Sequence, residues 1–196
     1  MNVVQTALPG VVILEPKVFG DARGFFLETY RENTYREAGI PQRFVQANHS
    51  RSRRGVLRGL HYQLVQPQGK LVSVARGQVF DVAVDVRRGS PTFGQWVSCL
   101  LDDETHRQMY IPPGFAHGFA VVSEVADFLY QCTDYYHPNS EAGIAWNDPD
   151  LAITWPELDT VLSEKDLNNP RLKDQSEDRL PVYGGTSVLV RAPERS

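Results

Sequence analysis

Short apolar or alternating runs, cut off by glycine, proline or polar turns, recur along most of this chain and limit what it can fold into. Val11 to Leu14 stops at Glu15-Pro16, Gly24 to Tyr30 follows the turn Gly20-Asp21, and Arg76-Gly77-Gln78 separates Lys70 to Ala75 from Val79 to Asp85. Phe44 to Asn48, Val56 to Leu64, Gly94 to Leu101, Gln108 to Ile111, Phe115 to Val122 and Asp127 to Tyr135 complete the series. Runs of this length and pattern suit strands, whereas a helix needs a longer run with a 3.6-residue period. Roughly ten strands at turn-rich spacing predict a mainly β protein, a sandwich or jelly-roll β-barrel, and argue against βαβ units. Only a few short helices are expected. Asn33 is placed to cap one that ends at Gly39, and Ser163-Glu164-Lys165-Asp166 opens another.

Size and charge narrow function by exclusion. The 196 residues suffice for one domain with a real core. The 20 Lys and Arg stand against 24 Asp and Glu, a net charge of −4, which argues against bulk nucleic-acid binding. No apolar run approaches the roughly 20 residues of a membrane helix. Met1 to Leu14 lacks a basic region and is broken by Pro9-Gly10, so no signal peptide is expected. Cys99 and Cys132 sit in apolar, strand-like context and are expected to be reduced core thiols of a cytoplasmic protein.

On a strand through Tyr130, the even positions Phe128, Tyr130, Cys132, Asp134 and Tyr136 share one face, which suits a pocket wall as well as a half-buried strand. His61 lies in Val56-Leu57-Arg58-Gly59-Leu60-His61-Tyr62-Gln63, where alternation puts Arg58 and His61 on opposite faces unless Gly59 hosts a bulge. Pro112-Pro113-Gly114-Phe115-Ala116-His117 resembles the second sequence motif of cupins, which are jelly-roll barrels. Metal cupins add a His-x-His pair from a first motif. Here that region reads His61-Tyr62-Gln63, so no metal is expected. Arg51, Arg53, Arg54 and Arg58 form either a solvated loop or a phosphate clamp, and the acidic chain favours a small phosphorylated ligand over a polyanion. Gly20-Asp21-Ala22-Arg23-Gly24 lacks the third glycine and following helix of a dinucleotide fingerprint.

A series of longer motifs resembles one family, the dTDP-4-dehydrorhamnose 3,5-epimerases. The series runs in order from about residue 3 to 167: Phe19 through Phe26, Asn48-His49-Ser50, Val56 through Gln63, Gln68 through Val72, Phe80 through Asp85, Gly89 through Gly94, Ile111 through Phe119, Trp146 through Pro149, and Leu162 through Asp166. The resemblance implies a metal-free, cofactor-free cupin-type homodimer. Its substrate is dTDP-4-dehydro-6-deoxy-D-glucose, inverted at carbons 3 and 5 in dTDP-L-rhamnose synthesis. The 4-keto group between those carbons acidifies both C–H bonds through an enolate, so a base, an acid and an oxyanion stabiliser suffice.

By the same resemblance, His61 is the base, Asp166 its orienting carboxylate, Lys70 the cation near the keto oxygen, and Tyr130 the acid on the opposite face. Arg23, Arg58 and His117 match ligand contacts, with Arg58 suited to diphosphate, while Gln46 and Asn48 match sugar or nucleotide contacts. Tyr136 resembles the aromatic that stacks on thymine, and Glu28, Glu141 and Lys165 match further binding positions. The segment holding Arg23 and Glu28 is expected to cross to a partner subunit, so the site is shared across the dimer. Ala47 departs from the family, which usually has Asp there, and the stretch after Asn168 has no counterpart in the motifs. The expected division is an epimerase domain over 1–168 and a loosely packed tail over 169–196, with an apolar segment from Ser187 to Val190. Competing readings are a dTDP-deoxysugar mono-epimerase or ketoisomerase, a metal cupin, and a non-catalytic sugar-nucleotide binder. Tyr130 argues for inversion, since ketone isomerisation needs no acid on the opposite face.

Overall fold

The computed structural model of the protein describes residues 1–184. Among these, thirteen strands carry the chain: β1 (Asn2–Gln5), β2 (Val12–Glu15), β3 (Val18–Asp21), β4 (Gly24–Leu27), β5 (Gln46–Arg53), β6 (Leu57–Gln63), β7 (Lys70–Arg76), β8 (Gln78–Asp85), β9 (Trp96–Asp102), β10 (Gln108–Ile111), β11 (Phe115–Val121), β12 (Val125–Cys132) and β13 (Glu141–Gly143). Two short helices, α1 (Glu32–Glu37) and α2 (Glu164–Leu167), accompany them. One sheet has the order β1-β2-β10-β7-β12-β5, a second β13-β6-β11-β8-β9, and β3-β4 form a separate hairpin. The mainly β, cupin-like architecture read from the sequence is borne out. No helix among the described residues is long and apolar enough to cross a membrane.

Three apolar clusters explain the patterning. Val72, Val79, Ala83, Met109, Ile111, Phe119 and Phe128, drawn from both sheets, pack into one core. Val82 and Val84 point the other way from β8 into a second cluster with Leu60, Tyr62, Ile144, Leu151 and Leu172. A strand covered on both faces reads as a continuous apolar run, as β8 does. A third cluster joins Val12, Leu14, Leu71 and Tyr110 to Tyr35 of α1 and to Ile40, so that α1 covers the outer face of the six-stranded sheet.

Packing continues past residue 168. Leu172 enters the second cluster, and the carbonyl of Pro170 accepts the Ala145 N–H at 2.7 Å. Gln175 Nε2 donates to Tyr62 Oη and to the Gly143 carbonyl, Arg179 Nη2 donates to the Glu141 carbonyl, and Tyr62 Oη donates to the Arg179 carbonyl. The described part of the stretch expected to be a loose tail therefore clamps β6 and β13. The Ser187 to Val190 segment lies outside the described residues.

Several boundaries differ from the sequence reading. Asn33 lies inside α1 rather than capping it, because its Oδ1 is engaged by the next N–H, that of Thr34, at 3.0 Å. The strand expected to reach Tyr30 ends at Leu27, and the one expected to reach Tyr135 ends at Cys132. Beyond Cys132 the backbone turns to side-chain partners: the Tyr136 N–H donates to Gln46 Oε1 at 3.0 Å. The hairpin β3-β4 holds Phe25 and Phe26 at 61% and 69% exposure, with Phe19 also exposed.

Candidate active site

A cavity of about 570 Å³ opens between the two sheets, and strand alternation selects its walls. On β5, Gln46, Asn48 and Ser50 line it. The alternate residues Ala47, His49 and Arg51 do not; His49 Nε2 lies 3.2 Å from Asp127, and Arg51 forks onto the same carboxylate with two bonds of 2.7 Å. Of the four arginines read as a possible clamp, only Arg58 lines the cavity; Arg51, Arg53 and Arg54 are exposed. On β12, Phe128, Tyr130 and Cys132 face the cavity as the period of two predicts. Asp134 does not. It lies past the strand end, where its carboxylate takes the Tyr135 N–H and Gln66 Nε2. Cys99 and Cys132 are both free and buried, but Cys132 belongs to the cavity wall.

A register shift brings Arg58 and His61 to the same cavity. His117 pairs with His61 and Phe119 with Arg58, so Gly59 and Leu60 of β6 oppose the single residue Gly118 of β11. Only glycines fit there. A Cβ on Gly59, whose φ is +112°, would stand 2.5 Å from the His117 carbonyl oxygen, and one on Gly118 would stand 2.6 Å from that of Arg58.

His61 Nε2 lies 2.5 Å from Asp166 Oδ1. Ser163 caps α2 by accepting the Asp166 N–H at 3.2 Å, and its hydroxyl donates to Asp166 Oδ2 at 2.9 Å. Burial alone would raise the Asp166 pKa, but its bonds to His61 and Ser163 and the nearby Lys165 together hold it below the ordinary carboxylate range. An ionised Asp166 requires the proton on Nε2, which leaves Nδ1 as the free basic nitrogen. Glu141 Oε1 stands 3.7 Å from that nitrogen. Its other oxygen accepts the Tyr136 hydroxyl at 2.6 Å and pairs with Lys165 Nζ. The Tyr136 phenol is pushed up to about 12, chiefly by that bond to Glu141.

Across the cavity, burial raises the Tyr130 phenol, which keeps it protonated. Burial also lowers the Lys70 amine, against the pull of Cys132, Glu141 and Asp81. His117 Nε2 sits 2.9 and 3.0 Å from the two oxygens of the fully buried Asp81, and its ring stacks on Phe128. Sequence reasoning gave Asp81 no role, although a lone carboxylate inside the apolar run Val79 to Val84 was a usable signal. Ser50, Gln68 and Ser163 also line the cavity and were not foreseen.

Of the thirteen residues expected at the site, eleven lie at one cavity or its rim: His61, Tyr130, Asp166, Lys70, Gln46, Asn48, Arg58, His117, Tyr136 and Glu141 line it, and Lys165 reaches it through Glu141. Arg23 and Glu28 do not. Arg23 is exposed and paired with Asp21 inside its own hairpin, and Glu28 is paired with Arg31. Among the described residues, no three His, Cys, Asp or Glu side chains are grouped as a metal's ligands would be.

The family model described as dTDP-4-dehydrorhamnose 3,5-epimerase matches residues 5–174. A protein of that name from Pseudomonas aeruginosa is 58% identical over 176 residues, covering 89% of this chain and 97% of the relative. The crystal structure of dTDP-6-deoxy-D-glucose-3,5-epimerase from Legionella pneumophila Philadelphia 1, in complex with dTDP-4-keto-L-rhamnose, superposes with a TM-score of 0.91 at 56% identity, covering 93% of this chain and 98% of that one. A 3'-monoepimerase from Streptomyces bikiniensis, in complex with dTDP-quinovose, gives a TM-score of 0.88 at 34% identity, covering 92% and 93%.

Proposed function

We infer the chemistry of the cavity from one premise: the chain belongs to the dTDP-4-dehydrorhamnose 3,5-epimerase family. The reaction proposed is inversion at carbons 3 and 5 of dTDP-4-dehydro-6-deoxy-D-glucose, without a cofactor. One observation carries it: the His61–Asp166 pair stands on the five-stranded side and Tyr130 on the six-stranded side of one cavity. Inversion needs a base and an acid on opposite faces of the carbon, and two facing sheets supply them.

In this reading, Nδ1 of His61 takes the proton α to the ketone, and Asp166 holds the tautomer and stabilises the imidazolium. Lys70 stands near the keto oxygen and stabilises the enolate. Tyr130 returns a proton to the opposite face as a neutral phenol. Arg58 takes the diphosphate, Gln46, Asn48 and His117 contact sugar or nucleotide, and Tyr136 stacks on thymine beside Glu141 and Lys165. The exposed phenylalanines of β3-β4 support a homodimer in which the hairpin of one protomer reaches the cavity of the other, delivering Arg23 and Glu28. A net charge of −4 supports action on a small nucleotide sugar rather than a nucleic acid, and the free, buried thiols of Cys99 and Cys132 support a cytoplasmic setting.

The test is incubation with dTDP-4-dehydro-6-deoxy-D-glucose in deuterated water. Label is expected at both carbons, and a coupled reductase should then give dTDP-L-rhamnose. Label at one carbon would instead indicate a mono-epimerase. His61→Asn should abolish exchange, while Tyr130→Phe should let exchange persist without inversion.

A further inference from the structure

Two inversions in one cavity ask more of His61 than a single proton transfer. The first leaves the imidazole holding the proton it took and Tyr130 as a phenolate. The second needs the reverse, a free lone pair and a phenol. His61 must therefore shed a proton while the nucleotide sugar fills the cavity over it.

We propose that Glu141 is the outlet through which His61 loses its proton between the two inversions. The proposal rests on the 3,5-epimerase reading and on the geometry around the ring. Asp166 occupies Nε2, so the proton taken from carbon arrives on Nδ1. Glu141 Oε1 stands beside that nitrogen at 3.7 Å; both are acceptors while the ring is neutral, and a small side-chain turn brings the oxygen within reach once Nδ1 carries a proton. The carboxylate is itself covered, with 13% of its side chain exposed. Its second oxygen is held by two groups at the rim, the hydroxyl of Tyr136 and the ammonium of Lys165, whose side chain is 54% exposed. Glu141 thus spans from the covered base to the solvent-facing edge, and Lys165 and Tyr136 hold its carboxyl below the ordinary range against the effect of burial, so that it carries a proton only in passing and gives it up readily.

The step balances. The Nδ1–H bond breaks as an O–H bond forms at Oε1, which returns the lone pair to the imidazole and neutralises the carboxyl. That proton passes to water at the rim, and the Tyr130 phenolate takes one proton from water. The net change is the exchange of one carbon-bound hydrogen for one solvent hydrogen.

Glu141→Gln keeps the size and the Tyr136 contact but cannot take a proton. The full-length protein would be mixed with the substrate in deuterated water, quenched at intervals, and the sugars resolved by NMR. The second inversion is expected to slow at least about tenfold relative to the first, so that singly inverted, singly labelled sugar accumulates. In Glu141→Ala, added formate should restore the second inversion, a rescue that a merely structural role would not give. Equal slowing of both inversions without rescue, or unchanged rates, overturns the proposal. Absence of label at either carbon in the unmodified protein overturns the reaction reading itself, and the outlet with it.

Discussion

Replacing Asp166 with Asn preserves the shape of its pairing with His61 and removes its charge. Its two oxygens now serve two donors, His61 Nε2–H at 2.5 Å and the Ser163 hydroxyl at 2.9 Å, while Ser163 Oγ accepts the Asp166 N–H. An amide has one oxygen for both. If that oxygen stays with Ser163, the NH₂ faces Nε2, the ring must carry its proton on Nδ1, and the lone pair offered to substrate disappears. If it stays with His61, the NH₂ faces Ser163 Oγ, whose hydroxyl proton loses its acceptor, and the imidazolium formed in the reaction meets only a neutral acceptor. Losing a charge-assisted hydrogen bond costs about 1.5–3 kcal/mol. At about 1.4 kcal/mol per decade of rate that is roughly 10- to 150-fold, and the wrong tautomer extends it towards about 10⁴-fold. The expectation is a kcat lowered by about 10- to 10⁴-fold with little change in KM. The assay is the initial rate of deuterium entry, with thermal unfolding run alongside. Asp166 is held below its unfolded pKa, so its stabilising contribution is present above the ordinary carboxylate range and is lost as pH falls through the lowered value. The Asn variant should lack that acid-side loss. A rate within about fivefold of the unmodified protein, at unchanged melting temperature, would refute the orienting role.

Other perturbations probe the scaffold and the charges. Gly59→Ala forces a Cβ to 2.5 Å from the His117 carbonyl oxygen at a φ of +112°, and should cost at least about 2 kcal/mol by urea midpoint. Lys70→Met should lower kcat by about 10²- to 10³-fold, read from the same exchange rate. Burial lowers the Lys70 amine, so in the unmodified protein activity should fall on the alkaline side below the ordinary lysine range, while this residue's destabilising effect is relieved as pH rises through that lowered value. Phe25→Ser combined with Phe26→Ser should shift sedimentation towards monomer and depress activity, because it removes the most exposed apolar side chains of the hairpin.

The longer strands were legible because their faces are buried in a regular way: β8, β11 and β12 carry apolar residues where the clusters need them. β1 and β3 were not, since Asn2–Gln5 and Val18–Asp21 are mostly exposed and take their pairing from a neighbour rather than from their own pattern. The three residues of β13 are defined only by β6. Within the site, a glycine in a strand warned of the irregular register at Gly59, and alternation gave the cavity face of β12. Residue spacing could not pair His61 with Asp166, 105 positions away, and only the family resemblance singled out the carboxylate. Arg23 and Glu28 lie apart from the cavity in a single chain, each paired with a neighbour in sequence, Asp21 and Arg31, so the resemblance that singled them out is not matched by the geometry of one protomer.

That separation of 105 positions also sets an order of events during synthesis. The strands holding His61, Lys70 and Tyr130 are complete by Cys132, whereas Asp166 and the segment clamping β6 and β13 emerge later. Domains fold as the chain grows from its N-terminus. A nascent chain stopped after β12 would hold an imidazole, an amine and a phenol along its strands and still lack the carboxylate that orients the imidazole. Such a chain also lacks Ile144, Leu151 and Leu172 of the second cluster, so in the reading above the core and the proposed base are completed together, by residues that emerge after Cys132.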